Sequence, residues 1–276
     1  MRLGLSSGLS HSGFVPSSIN LLDFSPAAAY SLRSFDSSAD PNVVNVRRSS
    51  DNATQDFKAS EITDGTLATY VGSGNDGFVT EWYDQSGNNV TATQATASDQ
   101  PKIVSSGAVV LENSKPAIDM AIGGTAGRLN VSQTFRASNI NNYSLFTVQK
   151  ASGSHGAFGV RLGGAPNSRG YLPYNSSGTN YASYGDNITA ISLGSPPTDS
   201  QLLSFIAGST QGNAQAFLDG SSQGSVALQS IAHGGNPKFG SGAITGTMQE
   251  VVMFHNDQSA NRTIIEGDIN TYYSIY

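Results

Sequence analysis

GFVTEWYDQSGNNVTATQAT runs from Gly77 to Thr96, preceded by VVNVRRSSDNATQDF from Val43 to Phe57 and followed by QPKIV from Gln100. Side chains alternate faces along a strand, so the first of these segments reads as Phe78, Thr80 and Trp82 on one face and Val79, Glu81 and Tyr83 on the other. At Asp84 the apolar alternation stops and turn residues begin. An Asp here accepts a backbone N–H two residues on, and Gly87 with Asn88 supplies backbone angles that bulkier residues resist. Core and turn roles therefore account for the motif without a ligand. Arg47 and Arg48 lie within reach of Asp51, Asp56 or Asp84, and one of the two is expected to pair internally.

Working outward, the rest of the chain repeats the same grammar of short β runs between turn signals, which marks a sandwich or jelly roll. Ala27 to Phe35, Phe78 to Asp84, Tyr143 to Lys150 and Ala157 to Leu162 are strand candidates. Leu202 to Gly208, Ala214 to Gly220 and Gly224 to Leu228 form hairpins, with Asp219 and Gly220 tolerating the positive φ of a tight turn. Thr247 to His255 reads as a penultimate core strand. The period then changes: Ile265, Ile269, Tyr272 and Tyr276 recur at helical spacing, with Asp257 or Ser259 placed to cap a short terminal helix. The expected fold is all-β, a concanavalin A-like jelly-roll sandwich with a short C-terminal helix. Residues 1–22, rich in Gly and Ser, are expected to form an extended arm, and 23–276 the sandwich.

The quoted strings resemble the sugar-cleaving domain of the α-L-arabinofuranosidase B family, in which a similar run of Arg, Ser and Asp precedes a near-identical YDQSGN. The same block resembles one found in virion proteins of tailed phages, and the hairpin around Asp219 is similar to those of laminin-G and concanavalin A-like domains. The first resemblance implies a retaining glycosidase with two carboxyl groups. It places the nucleophilic Glu after a strand like Ala157 to Leu162 and the acid Asp before one like Thr247 to Phe254. Here those places read Gly163-Gly164-Ala165-Pro166-Asn167-Ser168 and Phe239-Gly240-Ser241-Gly242-Ala243, and neither 120–185 nor 220–249 contains any Asp or Glu. The expectation is accordingly a protein that is not an enzyme. The second resemblance implies a virion subunit, a tail fibre, spike or capsid decoration, that attaches to surface glycans. The alternatives are a glycoside hydrolase drawing on carboxylates elsewhere, such as Asp84, Glu81 or Glu250, and a purely structural assembly protein.

Composition narrows the partners. Charged residues make up 12% of the 276 and hydrophobic ones 37%, so Ser, Thr, Asn and Gln must wet the surface. There are no cysteines, which removes disulfides and thiolate metal sites. The net charge of −6 is unevenly spread: 120–185 holds five bases and no acid, too thin a cluster for nucleic acid. No stretch is apolar enough to span a bilayer, and Leu3 to Phe14 does not build a signal peptide. A reducing cytoplasm, with no nucleic-acid or membrane partner, fits these facts; the virion resemblance implies in addition a homo-oligomer assembled in a host and joined to other virion proteins through the N-terminal arm. His11, His155, His233 and His255 are scattered, so no cofactor or metal is expected; Asp186 with Asn187, or Asp76 with Asn75, read as loop residues rather than calcium ligands. For ligand binding the candidates are Tyr171, Tyr174, Tyr181 and Tyr184 with Arg161 and Arg169, since tyrosine faces stack on sugars while Arg donates to hydroxyls.

Overall fold

Strand β23 (Thr245–Phe254) is the hub of the protein, because its Met248, Val251, Val252, Met253 and Phe254 are all buried and demand apolar cover on both faces. The computed structural model describes residues 19–122, 125–126, 128–131, 142–152, 156–161, 171–176, 179–184, 189–208, 212–227, 236–240 and 245–276. Residues 1–18 of the expected arm lie outside them. In chain order the front of the protein comprises β1 (Ala28–Ser31), β2 (Asn42–Arg48), β3 (Thr54–Lys58), α1 (Ala59–Thr63), α2 (Thr66–Val71), β4 (Gly77–Trp82), β5 (Ala92–Thr93), β6 (Lys102–Ser105), β7 (Ala108–Val109), β8 (Leu111–Glu112), β9 (Lys115–Pro116), β10 (Ile118–Asp119), β11 (Ala121–Ile122), β12 (Thr125–Ala126) and β13 (Leu129–Val131). The remainder comprises β14 (Tyr143–Ser152), β15 (Gly156–Arg161), β16 (Tyr171–Ser176), β17 (Thr179–Tyr184), β18 (Thr189–Gly194), β19 (Gln201–Gly208), β20 (Asn213–Leu218), β21 (Ser221–Ala227), β22 (Lys238–Phe239), β23 and α3 (Arg262–Tyr273).

Antiparallel pairing builds one layer as β1-β23-β14-β19-β20-β21. A second runs β3-β2-β4-β5-β13-β22-β15-β16-β17-β18. Strands β6 and β10 join the two at one edge. Between the layers lies the main core, to which the first contributes Tyr30, Leu145, Phe205, Val251 and Met253 and the second Val44, Phe57, Val79, Trp82, Leu129, Val160 and Phe239. Tyr30, Trp82 and Phe239 meet there as mutually tilted rings 4.9 to 5.9 Å apart. The far face of the first layer carries Ala29, Phe146, Leu202, Ile206, Val252 and Phe254, and α3 covers it with Ile265, Ile269 and Tyr273, one helical turn apart. Each such side chain contributes about 1.5–3 kcal/mol on full burial.

This is the expected all-β jelly-roll sandwich with a short C-terminal helix. Two details of the helix differ from the sequence reading. Tyr273, 1% exposed, takes the buried position assigned to Tyr272, and Tyr276 lies beyond the last turn. Asn261 stands at the N-cap without a side-chain capping bond, whereas Asp257 caps only the local turn through Ser259 N–H. Among the described residues no helix is long and apolar enough to cross a membrane. Among the described residues α3 covers the outer face of the first layer, and no helix covers the outer face of the second.

Candidate functional site

Strict alternation fails at β4, and the failure creates the site. Val46 pairs with Val79 but Asn45 pairs with Glu81, so Thr80 is an extra residue in a β-bulge. Bulges re-aim side chains. Val79 and Trp82 consequently both point inward, each 0% exposed, while Phe78, Thr80 and Glu81 are partly exposed. The expected grouping of Thr80 with Trp82 and of Val79 with Glu81 is thereby corrected.

Directly opposed residues in an antiparallel ladder share a face. From the edge inward, Asp56 opposes Asn45, Asn45 opposes Glu81, Glu81 opposes Thr93, Thr93 opposes Asn130 and Asn130 opposes Lys238. This is a continuous polar row across six strands of the open face, each member exposed or partly exposed. At its acidic end Asp56 Oδ1 accepts from Asn45 Nδ2 at 2.6 Å and from the Tyr83 hydroxyl at 2.7 Å. The Asn45 side-chain oxygen accepts from Thr80, the bulge residue. Tyr83 sits between two carboxylates: burial, its hydrogen bond to Asp56 and the charges of Glu81 and Asp56 push its phenol well above the ordinary tyrosine range. It therefore remains a proton donor at neutral pH. Asp56 on β3 and Glu81 on β4 flank β2, two strand steps or about 10 Å apart at the backbone.

The other acids weighed from the sequence are structural. Asp84 Oδ1 accepts from Ala29 N–H at 2.8 Å and Ser86 N–H at 2.9 Å, and Oδ2 from Ser86 Oγ at 2.7 Å and Val90 N–H at 3.1 Å. The backbone bond two residues on is thus present, but the positive φ angles belong to Gly87 and Asn89, not Asn88. Glu250 is wholly buried against Arg33, with N···O contacts of 2.9 and 3.2 Å, and Arg33 also bridges to Asp268 at 2.7 Å. Arg48 pairs with Asp51 at 2.6 Å, as one of the two arginines was expected to do, while Arg47 reaches Gln100 and Asn52. Asp76 is held by Lys102 at 2.8 Å, and among the described residues no group of His, Asp or Glu could hold a metal ion.

Of the residues picked for ligand binding, Tyr171 opposes Arg161 in register and Tyr174 opposes Tyr181, on adjacent strands β15, β16 and β17. Tyr184 pairs with Thr189 at the end of β17. Arg169 lies outside the described residues, as do Asp186 and Asn187 and the segments 163–168 and 241–243. Arg161 also opposes Lys238, so its backbone continues the polar row. Sequence reasoning missed the Asp56, Glu81 and Tyr83 grouping; Asp56 and Glu81 stand 25 positions apart, and register alone brings them together.

Neither a protein-family model nor a curated protein matches the sequence. Solved structures do. A GH54 α-L-arabinofuranosidase soaked with a cyclic sulfate inhibitor matches with a TM-score of 0.64 and 16% identity, over 88% of this chain and 62% of that one. An arabinofuranosidase complexed with arabinofuranosyl-α-1,2-xylobiose matches with a TM-score of 0.60 and 16% identity over the same shares. The chain spans 62% of the length of these relatives, and at such identity the likeness is one of fold. It runs well beyond the front segments that carry the sequence resemblance. The expectation that the chain is not an enzyme is corrected by these matches, since the fold it shares is one that carries arabinofuranosidases. That expectation rested on two particular places without carboxylates, and Asp56 and Glu81 lie elsewhere, on the second layer.

Proposed function

We propose that the chain is a glycoside hydrolase of arabinofuranosidase-like fold, with Asp56 and Glu81 as its carboxyl pair and the open face of the second layer as its glycan platform. One observation carries this reading: Asp56 accepts from the Tyr83 hydroxyl and Glu81 adjoins the same row, on a face that no described helix covers, in a fold that carries arabinofuranosidases. Asp56, oriented by Asn45 and Tyr83, attacks the anomeric carbon. Glu81 gives its proton to the departing glycosidic oxygen, then takes one from the water that releases the sugar. Tyr83 holds the two acids apart and keeps Asp56 turned toward the substrate. Tyr171, Tyr174, Tyr181 and Arg161, at register positions on β15, β16 and β17 that adjoin the row, are proposed to extend the platform as stacking and hydroxyl-contacting groups, with Tyr184 and Arg169 standing as sequence-based candidates. Attachment of residues 1–22 to other virion proteins, and a homo-oligomeric state, are proposals carried by the sequence resemblance, for which labelling of intact particles and sedimentation are the tests.

The activity test is hydrolysis of 4-nitrophenyl α-L-arabinofuranoside and a panel of plant and bacterial polysaccharides. Turnover by the parent chain and a loss of about 10²-fold or more in kcat for each of Asp56→Asn and Glu81→Gln, with melting temperature unchanged, is the expected result. A parent chain inert on the whole panel, or an Asp56→Asn variant as fast as the parent, sinks the assignment.

A further inference from the structure

The polar row is acidic at one end and basic at the other, and its charges do not neutralise each other. Lys238 closes the described row opposite Asn130. Arg128 lies on the same face as Asn130, because Leu129 and Val131 are both 0% exposed and point inward while Arg128 and Asn130 are partly exposed. Among the described residues Lys238 and Arg128 have no carboxylate partner, like Arg47, Lys58 and Lys115 and unlike Arg33, Arg48, Lys102, Lys150 and Arg262. Arg161 takes the next register position beyond Lys238. The segment 120–185 that feeds these strands carries five bases and no acid.

Glu81 on β4 and Lys238 on β22 are separated by β5 and β13, three strand-to-strand steps. At about 4.8 Å per step the two ends stand about 14 Å apart. That exceeds direct ion-pair reach and matches the length of a short oligosaccharide lying across the strands. A neutral chain would leave both cations without a partner. A chain carrying acid groups throughout would be repelled by Asp56 and Glu81.

We propose that the open face selects a glycan with a uronic-acid residue a few sugars from the scissile bond, its carboxylate held by Arg128 and Lys238 while a neutral sugar occupies the Asp56 and Glu81 end. The proposal rests on the open face being the glycan-processing surface. Arg128 stands diagonally from Lys238, two residues before its register partner Asn130, and a guanidinium with an ammonium suits a carboxylate, which accepts in bidentate fashion from the arginine.

The test compares one arabinose-substituted acidic oligosaccharide with its carboxyl-reduced twin, in the parent chain and in Arg128→Gln, Lys238→Gln and Lys238→Arg variants. The uronate form is expected to be preferred about tenfold in kcat/KM at low salt, through KM rather than kcat, with the preference shrinking as salt rises. The ratio should fall toward one in the two glutamine variants and return in Lys238→Arg. Equal use of both oligosaccharides by the parent chain, a ratio untouched by the glutamine variants, or a stronger preference for a sulfated neutral glycan overturns the proposal. Equilibrium binding of the same pair by titration calorimetry separates this inference from the hydrolase reading. If nothing is cleaved, uronate binding that Lys238→Gln abolishes still upholds the basic subsite, and equal binding of both forms overturns it.

Discussion

Replacing Asp84 by Asn tests whether the YDQSGN motif is scaffold or chemistry. The carboxylate ties β1 to the turn after β4 through Ala29, Ser86 and Val90. In Asp84→Asn the remaining oxygen can keep the Ala29 and Ser86 amides, and the Ser86 hydroxyl can rotate to accept from the new NH2. Val90 N–H cannot rotate and is left facing a donor. An unsatisfied, partly buried amide costs about 1–3 kcal/mol, and the two surviving bonds each lose about half of the roughly 1.5–3 kcal/mol that a charged acceptor supplies. The sum is about 4 kcal/mol, or a fall of roughly 8–16 °C in Tm for a chain of this size. Circular dichroism melting gives the measurement, with the initial rate on 4-nitrophenyl α-L-arabinofuranoside recorded below the transition. A Tm within about 2 °C of the parent refutes the reasoning. If turnover vanishes at the same time, Asp84 belongs to the chemistry and the assignment to Asp56 and Glu81 falls with it.

Two further outcomes follow from the charged network. Glu250→Gln leaves Arg33 buried with only Asp268 as counter-charge, which should cost about 3–5 kcal/mol; an unchanged urea midpoint would contradict the structural role given to that pair. Asp51 has its carboxyl lowered to about 2, chiefly by the Arg48 hydrogen bonds and then by Ala53 N–H. A depressed folded value means that the interaction is fully present above the ordinary 3.8 and is lost as pH falls toward 2, so an NMR titration should find the Asp51 midpoint near 2 in the parent and closer to the ordinary value in Arg48→Gln.

The fold was legible wherever a segment's pattern was forced by burial. Tyr143 to Lys150, Leu202 to Gly208 and Thr247 to His255 read as strands because their apolar runs must be covered, and they pair as β14, β19 and β23, the last ending at Phe254. The turn at Asp219 and Gly220 was equally plain, with φ of 50° and 75° at those two residues. Less of the terminal helix could be read. Tyr272 and Tyr273 are chemically alike, and choosing between them required knowing that Ile265, Ile269 and Tyr273 fall on the line that meets Phe146 and Val252. Helices α1 and α2 gave no such signal, since each buries one or two side chains, Ile62 in the first and Leu67 with Val71 in the second.

The site was illegible for a different reason. Period-two reading of GFVTEWYD assigns each side chain a face from its neighbours in sequence, and one inserted residue reverses every assignment beyond it. Thr80 is that residue. Without the bulge, Trp82 would join Phe78 and Thr80 on the outside and Glu81 would be driven among Val44, Val79 and Leu129, where an ionised carboxylate is costly. Burying the one tryptophan and exposing the one glutamate of β4 thus require the same irregularity, and the bulge satisfies both. Trp82 docks against Tyr30 and Phe239, and its packing fixes the position at which Glu81 emerges beside Asn45 and Tyr83. What aligns the acidic pair is therefore a core residue on the opposite face of the strand, and a sequence scan for spaced carboxylates would pass over it.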